Sequence, residues 1–170
     1  MPKLDVTIPQ GQLSDDARRE LPEQLAAALL RWEGAPDTEF FRSIAWAHLR
    51  ELPADAIRTP DGEAKPHAVV DVTVPQGALS ERRRGGMVDE MTKLVLDATG
   101  WEGEDAGIRV WVLVHEVPDG FWGAGGQIIR FEQLRAAAKA ERERSLASAS
   151  HSGEGGDGAA AVEGADKAPA

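Results

Sequence analysis

Asp5-Val6-Thr7-Ile8-Pro9-Gln10-Gly11-Gln12-Leu13-Ser14 returns 66 residues later as Asp71-Val72-Thr73-Val74-Pro75-Gln76-Gly77-Ala78-Leu79-Ser80, with eight of the ten positions identical. Repetition at a fixed period marks a duplicated structural unit. Further out, Trp32-Glu33-Gly34 recurs as Trp101-Glu102-Gly103, and Trp46…Glu51-Leu52-Pro53 as Trp111…Glu116-Val117-Pro118. The chain therefore reads as two copies of one unit, the first over 2–57 and the second over 67–131. The segment 58–66, rich in Pro, Gly and charge, joins them.

Each copy carries the same local signals. Leu4, Val6 and Ile8 alternate with Lys3, Asp5 and Thr7, the period of a strand with one buried face, and Val70, Val72 and Val74 repeat it. Ser14 and Ser80 follow a Gly-containing turn and suit the N-caps of helices. Leu21, Leu25, Leu29 and Trp32 then fall at helical spacing, as do Met87, Met91, Leu94 and Ala98. Pro22 and the pair Gly85-Gly86 interrupt these patterns and predict a kink or a late start in each helix. Second strands are expected over 44–51 and 108–117. A strand, a helix and a strand of this length form a β-α-β unit with parallel strands. Two such units side by side predict an α/β (α+β) fold, a four-stranded sheet with two helices on one face. The other face would carry Ile44, Trp46, His48, Arg109, Trp111, Leu113 and His115. Large aromatics on a face that no helix covers predict burial against another subunit.

Composition narrows the function. The chain has 170 residues, 42% of them hydrophobic, and 19 Lys+Arg against 29 Asp+Glu give a formal charge of −10. Nucleic acid would be repelled on average, so it is a poor partner. The absence of Cys excludes disulfides, thiolate metal sites and a cysteine nucleophile. No His/Asp/Glu cluster has metal-ligand spacing, and neither a metal nor another cofactor is expected. With no signal-like N-terminus and no long apolar run, the reading is cytoplasmic, without a membrane partner. Beyond the second unit, 126–131 looks like a short strand able to cross to a neighbour, 132–145 a charged helix, and 146–170 a disordered tail of Ala, Ser, Gly and acidic residues.

The duplicated β-α-β pattern, Pro2 as the second encoded residue and the late Val117-Pro118-Asp119-Gly120-Phe121-Trp122-Gly123-Ala124-Gly125-Gly126 together resemble the tautomerase superfamily. The likeness is to 4-oxalocrotonate tautomerase and its fused two-unit relatives, and it spans 2–131. It implies that Pro2, freed by removal of the initiator Met, is the proton-transferring base. The chemistry stands on its own terms too. A secondary α-amine starts near ~7.7–8.0, and burial or a nearby cation disfavours its protonated form. Such a base can take a proton from carbon or from an enol oxygen near neutral pH and return it elsewhere. The bland alternative is that Pro2 only begins a strand. In the second copy Ala68 stands at the matching position.

An enolising site also needs a cation for the substrate carboxylate or developing oxyanion. The arginine that the resemblance places after the first strand is absent from both copies, which have Gln12-Leu13 and Ala78-Leu79. A second one is matched by Ile108-Arg109-Val110, making Arg109 the catalytic cation; counting back from Gly125-Gly126 lands instead on Trp111, two residues on. Arg42 is its counterpart in the first copy. Trp122 takes the place of the aromatic that lines the site, and His115 is a candidate donor or second base. For these residues the alternatives are a solvated arginine, hairpin packing and a structural histidine. Arg82-Arg83-Arg84 is a solvated helix face or an attractor of anions. The implied activity is a cofactor-independent keto-enol tautomerase acting on a small carboxylate such as a 2-hydroxy-dienoate or enol-pyruvate-like acid. The alternatives are a dehalogenase/hydratase or decarboxylase of the same superfamily, or a non-catalytic oligomeric scaffold. Three fused chains would reproduce a six-unit ring, so a homotrimer is expected.

Overall fold

The computed structural model describes residues 2–60, 62 and 65–151. Along the chain come β1 (Lys3–Pro9), α1 (Asp15–Glu33), the five-residue α2 (Glu39–Ser43), β2 (Trp46–Leu52), β3 (Ala68–Pro75), α3 (Glu81–Thr99), β4 (Val110–Val117), β5 (Gly123–Ala124), β6 (Gln127–Ile128) and α4 (Phe131–His151). The main sheet has the order β2-β1-β3-β4. Within each unit the two strands are parallel, and the units meet antiparallel through β1 and β3, with Asp5 directly opposite Asp71.

The 66-residue offset holds in three dimensions. Both long helices have 19 residues. Ser14 and Ser80 cap them, their hydroxyls accepting from Ala17 N at 3.1 Å and Arg83 N at 3.4 Å. Gly34 and Gly100 end them at φ 71° and 66°, a left-handed conformation that glycine adopts without Cβ strain. α1 and α3 cover one face of the sheet. Leu4, Val6, Ile8, Val70, Val72 and Val74 are sealed there against Leu21, Leu25, Leu29, Met87, Met91 and Val95. On the opposite, open face Trp46 and Trp111 stay 60% and 61% exposed in the single chain.

Several local expectations change. Neither helix starts late: Pro22 lies inside α1 and Gly85-Gly86 inside α3, yet both begin directly after their serine caps. The buried apolar stripe outweighs a missing backbone hydrogen bond or the entropy of glycine. Trp32-Glu33 closes α1, whereas Trp101-Glu102 lies beyond the cap Gly100, so this sequence match runs at 69 residues and is out of structural frame. β2 begins at Trp46 because 39–43 form α2, and β4 begins at Val110 because Gly107–Arg109 make a single 3-10 turn. Within 126–131 only Gln127–Ile128 is strand. Gly125 and Gly126, at φ 59° and 75°, turn Gln127–Ile128 back onto Gly123–Ala124, and Phe131 already starts α4. α4 continues to His151, so 146–151 are helical rather than tail, and 152–170 lie outside the described residues. Among the described residues no helix is long and apolar enough to cross a membrane.

Candidate active site

Strand direction sorts the candidate residues between the two ends of the sheet. At one end lies Pro2. It is buried, shares the helix-facing parity of Leu4, Val6 and Ile8, and its carbonyl accepts from Trp46 N at 3.2 Å as β2 sets out alongside β1. The register Lys3↔Thr73 and Pro75↔Val117 puts the closing ends of β3 and β4 here as well. Arg18 near the start of α1 bonds Glu51 at the far end of β2 at 2.8 Å, so the last turn of α1 comes down over the Pro2 end. That turn carries Glu33. Burial pushes the Glu33 carboxyl up to about 7. Arg83 from the start of α3 donates to the Glu33 carbonyl at 3.2 Å, and Arg142 of α4 donates to the Gly34 carbonyl.

The opposite end belongs to Ala68. β1 and β3 are antiparallel, so Ala68 is displaced from Pro2 by six residues of strand, roughly 20 Å. Arg109 is here. It sits in the turn before β4 rather than on the strand, with its guanidinium 5.0 Å over the Trp101 ring and donating to the Glu102 carbonyl at 3.3 Å. Its Nε is buried without a hydrogen-bond partner. Arg58, Lys65, His67, Ala68 and Trp111 join it around a groove of about 480 Å³. Gln12, which stands where the resemblance calls for an arginine, accepts from the Trp101 indole at 2.9 Å at this end too. One chain thus does not bring Arg109 to Pro2.

Arg42 is placed at the Pro2 end. It leaves α2 beside the start of β2 and lines a groove of about 930 Å³ with Pro22, Ala26, Leu30, Trp46 and His48. Pro2 is not part of this lining but touches it through its bond to Trp46. Arg42 Nε donates to Asp37 at 2.6 Å, and this partner holds the Asp37 carboxyl below its usual range. Trp122, half-buried, leads into the β5–β6 hairpin that leaves β4 at the Pro2 end; its carbonyl accepts from Ile129 N at 2.8 Å. Arg84 donates to the Leu79 carbonyl, so it and Arg83 serve as braces rather than a free cationic face.

His115 lies on the open face, opposite to the side on which Pro2 faces the helices. Its Nε2 meets Asp71 at 2.8 Å. The first unit has a denser version: Asp5, 6% exposed, takes Lys3, His48 at 3.3 Å and Arg50 at 2.7 Å. Burial raises the Asp5 carboxyl, but the bonds from Lys3 and His48 and the charges of Lys3 and Arg50 outweigh this and leave it lowered. Among the described residues no group of three His, Asp or Glu could hold a metal ion.

Glu33 is the residue that sequence reasoning passed over. A signal for Glu33 was present: it continues the four-residue row Leu21, Leu25, Leu29.

No family model and no curated protein matches the chain. Solved structures do. A symmetric trimer of wild-type fused 4-OT superposes with a TM-score of 0.63 at 20% identity, over 78% of this chain and 98% of that one. A protein inactivated by 2-oxo-3-pentynoate gives 0.63 at 21%, over 74% and 94%. A member of the cis-3-chloroacrylic acid dehalogenase family gives 0.63 at 17%, over 86% and 99%. The duplicated β-α-β sheet therefore has the fold of fused 4-OT.

Proposed function

We propose that the chain is a cofactor-independent tautomerase in which the Pro2 nitrogen, exposed by removal of Met1, moves a proton between carbon and oxygen of a small 2-oxo or enol acid. The observation that carries this reading is the burial of Pro2 at the start of β1, facing the helices, in the one unit that begins with a proline. An apolar wall disfavours the ammonium form and keeps the base poised near neutrality. The inactivation of one neighbour by a 2-oxo acid supports the substrate class. Trp122 and the Arg42 groove lie at the same end and supply an apolar wall and a cation. Arg109 serves Pro2 only from another subunit, and the trimeric state of a fused 4-OT neighbour supports such a site between chains. Trp46 and Trp111 would then be covered in a homotrimer. The dehalogenase and hydratase alternatives call for paired arginines early in the second unit, where Ala78 and Leu79 stand.

Intact mass and light scattering come first: loss of Met1 and a trimeric mass are expected, and retained Met1 would convert the nitrogen to an amide and end the proposal. Ketonisation of phenylenolpyruvate and 2-hydroxymuconate by wild type and Pro2→Ala then decides. Proton transfer by a positioned base contributes about 10²–10⁴-fold, so a loss of that size is expected. Equal rates in the two proteins would leave the scaffold reading.

A further inference from the structure

The two units are so alike that their differences are informative. At the 66-residue offset Pro2 corresponds to Ala68, and Glu33, the last residue of α1, to Thr99, the last residue of α3. The proline and the carboxylate are present together in the first unit and absent together in the second. Thr99 spends its hydroxyl on its own helix, donating to the carbonyls of Val95 and Leu96.

Two observations bring Glu33 to the start of β1. Its i−4 neighbour Leu29 is buried, so the side chain departs from the sheet-facing side of α1. The Arg18–Glu51 bond fixes the direction of α1, and 15 residues of helix beyond Arg18, roughly 22 Å, carry Glu33 level with the start of β1. The surrounding charges are engaged elsewhere. Arg83 and Arg142 hold the Glu33 and Gly34 carbonyls, and Arg31 is paired with Glu90 of α3, which also takes the Trp32 indole at 2.8 Å.

We infer that Glu33 is a positioning residue for the N-terminal amine, its carboxylate holding the protonated Pro2 nitrogen in place at the start of β1. This rests on the proline reading. During turnover the nitrogen takes a proton from the substrate and becomes a cation beside the carboxylate; the same proton then passes from nitrogen to the other substrate atom. Glu33 forms and breaks no covalent bond. An opposite charge this close raises the amine's affinity for its proton, and the two groups titrate as a pair.

The test is an NMR titration of the Pro2 amine in ¹⁵N-proline-labelled protein with Met1 removed. Glu33→Gln should lower the amine midpoint by about one pH unit or more, and the acidic limb of kcat/KM should move to lower pH by the same amount. Glu33→Asp should restore much of the shift. Glu102→Gln, which alters the out-of-frame copy of the motif, should leave the amine as in wild type. An amine midpoint indifferent to Glu33→Gln overturns the inference. If Glu33→Gln does not fold, wild type alone decides: the Glu33 carboxyl and Pro2 amine must show shared midpoints, and independent ones overturn it. An indifferent amine in a protein that Pro2→Ala inactivates refutes only the Glu33 role. A responsive amine with equal wild-type and Pro2→Ala rates refutes only the proline catalysis.

Discussion

Replacing Gly86 by alanine probes the contact that joins the two units across their helices. A methyl group built there would meet Cη2 of the Trp32 indole and lie 2.8 Å from Cζ2 and Cζ3. The indole is not free to swing away, because its Nε1 is bonded to Glu90 at 2.8 Å. Gly85, one residue earlier in α3, has open space where its methyl would go. Each substitution gains ~0.8–1.0 kcal/mol of helix propensity. At Gly86 this is set against overpacking of ~1–3 kcal/mol and a strained or lost indole hydrogen bond of ~0.5–1.5 kcal/mol. Gly85→Ala should therefore stabilise by about 1 kcal/mol, and Gly86→Ala should destabilise by about 1–3 kcal/mol. Urea unfolding followed by far-UV circular dichroism at a fixed protomer concentration measures both, since association shifts apparent stability. In thermal melts each kcal/mol moves the midpoint by ~2–4 °C in a chain of this size. Against a Trp32→Leu background the Gly86→Ala penalty should shrink to nothing. Equal stability of the two alanine variants, or a penalty that survives the loss of Trp32, would refute the steric argument.

Asp5→Asn should cost ~1–3 kcal/mol at pH 7, because Lys3, His48 and Arg50 lose their shared anion. The native Asp5 carboxyl is lowered, so its contribution is present above the ordinary value of 3.8 and fades as the pH falls through its folded value; urea midpoints of variant and wild type should converge in acid. Glu33 has the opposite sign. Its carboxyl rises from 4.5 to about 7, so its stabilisation is complete below 4.5 and is lost as the pH climbs to about 7. Relative to wild type, Glu33→Gln should gain ~2–3 kcal/mol between pH 4 and pH 8 in the same assay. For Arg109, mixing inactive Pro2→Ala with inactive Arg109→Ala chains should restore ketonisation if each site takes its base and its cation from different subunits. Mixtures as inactive as their components would remove Arg109 from the site.

The sheet was legible in the sequence because alternation and the 66-residue repeat report directly on which side chains face a core. The parallel pairing within each unit followed from the length of the crossovers. The way the two units join did not. A repeated sequence says nothing of whether copies meet parallel or antiparallel, and that choice sends Ala68 and Arg109 to the far end from Pro2. The Trp-Glu-Gly match misled for a related reason. The three letters coincide, but Gly34 caps α1 whereas Gly103 follows a helix already capped at Gly100. Read in the frame of the caps, Glu33 appears as a carboxylate at the end of an apolar row, with Thr99 as its counterpart.

The facing pair Asp5 and Asp71 sits where the two units exchange places, and only a fused chain lets the two sides be dressed differently. Among the strand residues of the open face, β1 and β2 carry Lys3, Asp5 and Arg50, formally +1 with histidine neutral, and β3 and β4 carry Asp71, formally −1. Like halves brought together would set charge against like charge. In the assembly proposed above unlike halves would attract, so these strand charges favour head-to-tail neighbours, the arrangement that closes into a ring rather than stopping at a two-fold pair.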